Sequence, residues 1–178
     1  MKQYELKNGE KLIIREAKKE DAQGLIDYVS QIGGESDFLT FGAGEFNIPL
    51  EAEEEIIENS RKTDNSLFLV AEIDGEIIAS LNFNGGRRSR TRHMGEFGLS
   101  VIKKYWGMGI GTRLIEYMID WAKETGFIRK INLKVRADHE KGIRLYHKLG
   151  FEKEGVTTRF FLHKGVFYDA VEMGLKID

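Results

Sequence analysis

The 178-residue chain has no cysteine and only one proline. Without cysteine the protein can form no disulfide and no thiolate metal site, and it has no cysteine nucleophile. An excess of charge of one sign is also missing, since the formal net charge is -2. Charge therefore gives no reason to expect binding to nucleic acid or to a membrane surface.

Long apolar runs are missing too. No segment approaches the ~20 apolar residues of a membrane span, and the first residues, MKQYELKNGEKL, hold no apolar stretch of signal-peptide length. The absence of cysteine is compatible with a reducing compartment, and we expect a cytoplasmic protein. With 41% hydrophobic and 31% charged residues, the composition is that of a globular protein, and the length predicts a single domain over residues 1–178.

Apolar periodicity and turn residues predict the order of strands and helices. The predicted strands are Lys11–Glu16, Ser66–Ile73, Glu76–Asn84, Met94–Ile102, Lys130–Val135, Thr157–Leu162 and Phe167–Leu175. The predicted helices are Lys18–Ile32, stopped by Gly33-Gly34, the acidic Leu50–Arg61 with Ile56 and Ile57 as core contacts, a helix from Ile110 ended by Gly126, and Glu140–Leu149. This order predicts an α+β fold, a mixed, mostly antiparallel sheet of six to seven strands with helices on both faces.

The most informative motif lies in the segment Leu99–Ile115. A strand runs into Gly107-Met108-Gly109-Ile110-Gly111, and an amphipathic helix follows at once. The first N–H groups of a helix have no intrahelical partners, and the helix dipole places partial positive charge there. Glycines let a phosphate approach the backbone closely. The motif therefore predicts a pyrophosphate cradle made of main chain, with a tight turn that only packs as the alternative.

Two other phosphate-binding motifs fit this loop poorly. A P-loop needs Lys-Ser/Thr after its last glycine, whereas Gly111 is followed by Thr112-Arg113. A dinucleotide fold has G-x-G-x-x-G after its first strand, with an acidic residue about 20 positions on. This loop is spaced G-x-G-x-G and lies in the middle of the chain. A nucleotide-binding protein is therefore a distant alternative, which protection of the fold by ATP or NAD would reveal.

A second motif lies in the segment Val135–Phe151. A strand leads through a possible cap at Asp138 into a short helix ended by Gly150. Ile143, Tyr146 and Leu149 recur every three residues, so Tyr146 faces the sheet. On this pattern alone, Tyr146 is either a core aromatic with its hydroxyl at the edge or a catalytic group.

Together the two segments resemble the GNAT superfamily of acetyl-CoA-dependent N-acetyltransferases. Val101-x-x-x-Tyr105-Trp106-Gly107-x-Gly109-Ile110-Gly111-Thr112 resembles the pyrophosphate motif of the family, usually written Arg/Gln-x-x-Gly-x-Gly/Ala. Leu145-Tyr146-x-x-Leu149-Gly150-Phe151 resembles its LYxxLGF helix, in the expected order and separation. The resemblance covers most of the chain, is weakest over Met1–Lys62, and implies a GNAT-like fold.

Three residues depart from the family pattern. Trp106 stands where the family has Arg or Gln, so that side-chain contact to phosphate is lost and the backbone amides remain. His139 and Gly142 stand where the family usually has Asn and Ala. By resemblance, His139 hydrogen-bonds the pantetheine arm and Gly142 keeps the small surface that the cofactor needs.

The resemblance implies a direct transfer of an acetyl group from acetyl-CoA to an amine, without a metal and without a covalent enzyme intermediate. The strand before the glycine loop would supply the base that collects the amine proton, and Glu96 is the candidate. Tyr146 would protonate the departing thiolate. The implied cofactor-binding residues are Leu99, Ser100, Val101, Trp106, Gly107, Met108, Gly109, Ile110, Gly111, Thr112, His139, Gly142 and Tyr146.

The acceptor is not identified by the sequence. A polyamine, an amino acid, an antibiotic and the N-terminus of a protein all remain open, and so does a homodimer.

The four histidines show no metal spacing, and the arginines between Arg87 and Arg92 suit either a solvated hairpin tip or an anion site. Two interpretations stay open for the acidic residues Glu35, Asp37, Glu45 and those of the acidic helix. They are either solvated or they line an acceptor pocket that favours a cation. The main alternative to an enzyme is an acyl-CoA-binding module of the same fold that has lost catalysis.

Overall fold

The structure is a computed structural model that describes all residues from Met1 to Asp178. Its strands are β1 (Lys2–Glu5), β2 (Lys11–Glu16), β3 (Ser66–Ile73), β4 (Glu76–Gly85), β5 (Met94–Val101), β6 (Lys130–Arg136), β7 (Glu152–His163) and β8 (Val166–Lys176). Its α-helices are α1 (Ala22–Glu35), α2 (Leu50–Lys62), α3 (Ile110–Thr125) and α4 (Glu140–Lys148). Short 3-10 helices, Lys19–Asp21 and Lys103–Tyr105, precede α1 and follow β5.

All eight strands form one sheet in the order β1-β2-β3-β4-β5-β6-β8-β7. Only β5 and β6 are parallel neighbours, and every other pair is antiparallel. The predicted α+β fold is confirmed, but the sheet has eight strands instead of six to seven. The missed strand is β1, whose sequence KQYE offers Tyr4 as its one apolar side chain and therefore no alternation to detect.

The parallel strands β5 and β6 separate after a short paired stretch. Their register runs from Met94↔Lys130 to Glu96↔Asn132. Beyond Glu96, β5 stays paired with β4 as far as Val101, and β6 stays paired with β8. Each strand thus follows its own outer neighbour, and a wedge-shaped gap opens between β5 and β6.

Helices cover both faces of the sheet. The Tyr28 hydroxyl of α1 lies 2.7 Å from the Ser100 hydroxyl of β5, whereas a Cβ added at Gly111 of α3 would lie 3.4 Å from Leu99. We call these two sides the α1 face and the α3 face. Because side chains alternate along a strand, the other members of the α1 face of β5 are Glu96 and Gly98, and those of the α3 face are Phe97 and Val101.

The end of α1 differs from its prediction. The helix continues through Gly33-Gly34 to Glu35 instead of stopping there. A Cβ at Gly33 would lie 2.8 Å from the carbonyl oxygen of Gly42. Glycine is therefore required at this position because another segment of backbone packs against the helix, and not because the helix ends.

Two further predictions change at α2 and β7. Ile57 of α2 is buried as predicted, but Ile56 is 46% exposed, and Glu53 is the second buried residue of that helix. Burial raises the pKa of the Glu53 carboxyl. β7 begins at Glu152 instead of Thr157; its first residues are charged and exposed because it is the edge strand of the sheet.

Candidate active site

The gap between β5 and β6 leaves strand backbone available to a ligand. The Ile102 N–H donates to the Ile78 carbonyl of β4 at 2.9 Å, and the direction of N–H groups alternates along a strand. The N–H groups of Leu99 and Val101 therefore point toward β6, beyond the last paired residues. Backbone donors need a partner, and an extended ligand that carries amide groups can supply it along this edge.

The glycine loop lies where this edge meets α3. Gly107 and Gly109 have φ values of +75° and +79°, in the left-handed region that residues with a Cβ rarely adopt. The Arg113 N–H donates to the Gly109 carbonyl at 3.1 Å as the first bond of α3, so the N–H groups of residues 110–112 have no partner within the helix. The loop therefore has the geometry of the predicted main-chain cradle, with free amides at the positive end of the helix dipole.

The side chains of the loop differ in burial. Ile110 is buried in the core, and Met108 and Thr112 are half-buried. The Trp106 ring is 48% exposed, and its indole N–H donates to the Val101 carbonyl at 2.7 Å. Trp106 thus ties the loop to the end of β5.

His139 and Gly142 depart from the family pattern together, and the structure gives one reason for both. The His139 ring stacks on Phe38 with centroids 4.1 Å apart and planes at 11°. A Cβ at Gly142 would lie 2.8 Å from the Cδ2 atom of that ring. The imidazole occupies the space of an alanine methyl, so a histidine here requires the glycine. Burial lowers the pKa of His139, which keeps the stacked ring neutral at neutral pH.

Asp138 does not cap α4 as the sequence suggested. The capping position is His139, and the Asp138 carboxylate accepts two hydrogen bonds from Arg136, at 2.7 and 2.9 Å. Arg136 also donates to the Asp37 carbonyl at 2.8 Å, and its guanidinium lies over the rings of Phe38 and Tyr168 at 4.5 and 4.0 Å. Arg136 therefore fixes the segment after α1 against the open end of the gap.

Tyr146 lies on the α3 face beside the narrow end of the gap. Its ring packs edge-to-face on Phe97 and Phe151, with centroids 6.1 and 6.0 Å away. Burial raises the pKa of Tyr146 to about 12, and neither a hydrogen bond nor a nearby charge contributes to this shift. The hydroxyl is therefore protonated at neutral pH, and it is free to donate to a ligand in the gap.

Glu96 lies at the same end of the gap but on the α1 face. It is the last residue of β5 that pairs with β6, and its side chain is about half exposed. The Lys134 ammonium donates to its carboxylate at 2.9 Å. This hydrogen bond raises the pKa of Lys134. The two predicted catalytic groups thus lie on opposite faces of the sheet, one on each side of the β5 backbone near Phe97.

Sequence reasoning missed several residues of this region. Lys134 contacts Glu96 and Phe38 contacts His139, but they come from β6 and from an irregular segment, each far from its partner in sequence. Arg136 in turn lies over the ring of Phe38. Only the alternation of β6 gave a signal, since it places Lys134 on the same face as Asn132, the partner of Glu96. No comparable pattern marks Phe38.

No group of three or more His, Cys, Asp or Glu side chains is arranged to hold a metal ion. None of the helices combines the length and the apolar character that crossing a membrane requires.

Comparison with known proteins identifies relatives across the chain. Residues 36–151 match the model of the acetyltransferase (GNAT) family. L-amino acid N-acetyltransferase AaaT of Escherichia coli (strain K12) is 32% identical over 105 residues, which are 59% of this chain and 65% of that protein. The chain thus spans just under two thirds of that relative's length. Spermidine N(1)-acetyltransferase of the same strain is 27% identical over 169 residues, 90% of this chain and 83% of that protein.

A solved structure extends the similarity to the whole fold. The crystal structure of the acetyltransferase of GNAT family from Streptococcus pneumoniae superposes with a TM-score of 0.90 at 31% sequence identity. The alignment covers 94% of this chain and 99% of that chain.

Proposed function

The chain belongs to the GNAT family of acetyltransferases, and on this premise we propose that it transfers the acetyl group of acetyl-CoA to a primary amine. The acceptor is a small molecule or the N-terminus of a protein, and the amine attacks the thioester directly while both substrates are bound. The relatives support an amine acceptor, since one is named for L-amino acids and another for spermidine.

One observation carries the proposal: the gap between β5 and β6 opens beside the glycine loop and has Glu96 and Tyr146 at its narrow end. The free N–H groups of residues 110–112 suit the pyrophosphate of acetyl-CoA, and those of Leu99 and Val101 suit its amide-containing arm. The acetyl end would then lie near Phe97, between the two candidate catalytic side chains.

The chemistry divides between the two faces of the sheet. An alkylamine with a pKa near ~10.4 is mostly charged at neutral pH, so its proton must leave before it attacks the carbonyl. Glu96, on the α1 face, takes that proton directly or through water. Backbone N–H groups of β5 stabilise the negative charge that develops on the carbonyl oxygen. Tyr146, on the α3 face, donates a proton to the sulfur that leaves.

Thiol release tests this function. The purified protein is mixed with acetyl-CoA and a panel of primary amines, and free CoA thiol is followed with a thiol reagent. We expect release above the amine-free rate for at least one class of amine. A protein whose melting temperature rises with CoA, but not with ATP or NAD, and which releases no thiol with any amine would instead be a CoA-binding module.

The role of the glycine loop is tested by comparing two glycines that flank the same helix. Gly109 precedes α3 and Gly126 follows it, their φ values are +79° and +73°, and a Cβ at either would meet nothing within 4 Å. Gly109→Ala and Gly126→Ala should therefore cost similar stability, about 1–2 kcal/mol each. Only Gly109→Ala moves the amides that face the pyrophosphate, so it alone should weaken CoA binding, by about tenfold or more (~1.4 kcal/mol).

Calorimetry with CoA and thermal melting of both variants measure these two effects separately. If the two variants bind CoA equally well at equal stability, the pyrophosphate does not lie on this loop.

A further inference from the structure

The turn between β4 and β5 carries arginines without ion-pair partners. Arg92 pairs with Asp64 at 2.7 Å, but none of the salt bridges of the chain involves Arg87, Arg88 or Arg90. Three unpaired guanidinium groups in one turn make this end of the sheet locally cationic, although the whole chain has a net charge of -2.

This turn is anchored to the body of the protein. Asn65 is 8% exposed, and its side-chain amide donates to the carbonyls of Gly86 and Arg92 at 3.0 and 3.3 Å. The Gly85 N–H donates to the Asn65 carbonyl at 2.8 Å, and a Cβ at Gly85 would overlap the Asn65 side chain. The arginines are therefore presented by a turn of fixed shape.

Two of the unpaired arginines line a groove on the α1 face. The groove has a volume of about 870 Å³ and lies between α2, β3, β4 and the turn, and only 3 of its 17 lining residues are hydrophobic. Arg87, Arg88 and Arg92 contribute three positive charges to its wall, and Asp64 contributes its one negative charge. Arg90 belongs to the same turn but does not line the groove. A polar groove with an excess of positive charge favours an anionic group.

The floor of this groove continues into the candidate active site. Asn82 and Asn84 of β4 line the groove, and in the sheet they lie directly opposite Gly98 and Glu96 of β5. Side chains that lie opposite each other in antiparallel strands have Cβ atoms about 4.5–5.5 Å apart. A ligand in the groove is therefore one strand away from Glu96.

The acidic residues that would favour a cationic acceptor are occupied elsewhere. Glu35 accepts hydrogen bonds from the Lys103 N–H at 2.7 Å and from Gln31 at 2.8 Å. Glu45 accepts one from the Gly42 N–H at 2.8 Å. The acidic side chains of α2 do not line the groove. The sequence left open a cationic acceptor bound by these groups and Asp37; Asp37 lies 3.3 Å from His163, and none of them lines this groove.

We propose that this groove binds an anionic group of the acceptor, so that the acceptor is a primary amine that also carries a carboxylate or a phosphate. Its amine would reach Glu96 across Asn84 while its anion is held by Arg87 and Arg88. The inference rests on the proposed acetyl transfer and adds the class of acceptor to it. Arg87 follows Asn84 by three residues, and since a chain advances at most about 3.3–3.6 Å per residue, the arginine backbone lies at most about 10 Å from the Glu96 row.

Matched acceptors test the charge requirement. Thiol release is measured with the common L-amino acids, β-alanine and γ-aminobutyrate, with their carboxamides, with aminomethylphosphonate, and with ethylenediamine and putrescine. We expect a carboxylate or phosphonate amine to have a kcat/KM at least tenfold above that of its carboxamide or diamine counterpart, which carries no anionic group. Comparison of kcat/KM for aminomethylphosphonate with that for the carboxylate amines shows which anion is preferred. Amides or diamines as the better acceptors would overturn the proposal.

Matched variants test the site. The double variant Arg87→Gln/Arg88→Gln should raise KM for the preferred anionic acceptor tenfold or more, with kcat and the KM for acetyl-CoA nearly unchanged. Arg90→Gln removes the same charge from the same turn outside the groove, and it should behave like the wild type. Equal effects of both variants would mean that the arginines act only through the overall positive charge of the turn. That result would contradict a binding site in the groove.

A binding measurement separates this inference from the proposed function. The amino acids and their carboxamides are titrated into the CoA-bound protein, and their binding is measured by calorimetry, whether or not thiol is released. Anion-dependent binding that the double variant loses supports the groove even in a protein without turnover. Turnover with amines that carry no anionic group, unaffected by the double variant, supports acetyl transfer and rejects the groove.

Discussion

The Tyr146→Phe protein is expected to lose about 10²–10⁴-fold in turnover, the range that a general acid contributes, while its affinity for acetyl-CoA stays nearly unchanged. Phenylalanine keeps the ring and its edge-to-face contacts with Phe97 and Phe151. Only the hydroxyl is lost, and a hydroxyl that merely caps the core would cost ~1 kcal/mol of stability. The prediction therefore separates chemistry from packing.

The raised pKa of Tyr146 bears on how this acid works. At about 12, its pKa lies above that of an ordinary thiol in water, near ~8.5, so a thiolate in water would be a poor acceptor of this proton. Burial in the same apolar pocket also raises the pKa of the thiol, because it disfavours the thiolate. The hydroxyl therefore holds its proton throughout the neutral range until the C–S bond breaks, and the proton then passes to the sulfur that leaves.

Tyr117→Phe is the matched control. Tyr117 belongs to α3, and its hydroxyl meets the N-terminal amine at 3.4 Å, far from the gap in the sheet. It should leave turnover unchanged. Turnover is measured by thiol release at saturating acceptor and stability by thermal melting. An unchanged turnover of Tyr146→Phe with a lower melting temperature would make Tyr146 a structural residue and leave the acid to be found elsewhere.

The second large effect is expected for Glu96→Gln, about 10²-fold or more in turnover at neutral pH. Glutamine keeps the size and polarity of the side chain but cannot take the proton of the amine. Below the pKa of the acceptor, the neutral fraction of an amine rises about tenfold per pH unit. The rate of the variant should therefore recover in part as the pH rises, since the solvent then removes the proton.

Glu154→Gln provides a control that removes a similar ion pair. Glu154 pairs with Lys130 at 2.7 Å, and Glu96 pairs with Lys134 at 2.9 Å; both lysines belong to β6. Loss of either exposed pair should cost at most about 1 kcal/mol of stability, so both variants should melt like the wild type. Full activity of Glu96→Gln at neutral pH, or an equal loss in Glu154→Gln, would remove Glu96 from the mechanism.

Much of the fold was determined by local patterns in the sequence. The strand Ser66–Ile73 and the start of α3 at Ile110 lie where alternation and the glycine motif predicted them. Gly126 ends α3 in a left-handed conformation, as a helix-terminating glycine should. These features are local, because burial of one face and the φ of a glycine depend on a few neighbouring residues.

Other glycines had causes that local patterns do not contain. Gly33 looked like a helix stop, but it is required by the backbone of Gly42. Gly142 was predicted to leave space for the cofactor, and the structure adds a second reason for a glycine, the nearby His139 ring. Gly42 lies nine residues after Gly33 in an irregular segment, and the ring of the nearby His139 is held by its stacking on Phe38, which is far away in sequence.

The site divides in the same way. The sequence by itself determined the glycine loop and the helix that carries Tyr146, because each is a continuous motif with its own hydrogen-bonding or packing logic. Only the tertiary structure decided that β5 leaves β6 after Glu96, that Lys134 pairs with that carboxylate, and that the arginine turn forms one wall of a groove. The physical reason is that these contacts join strands and turns far apart in sequence, whose spacing is set by the pairing of the whole sheet.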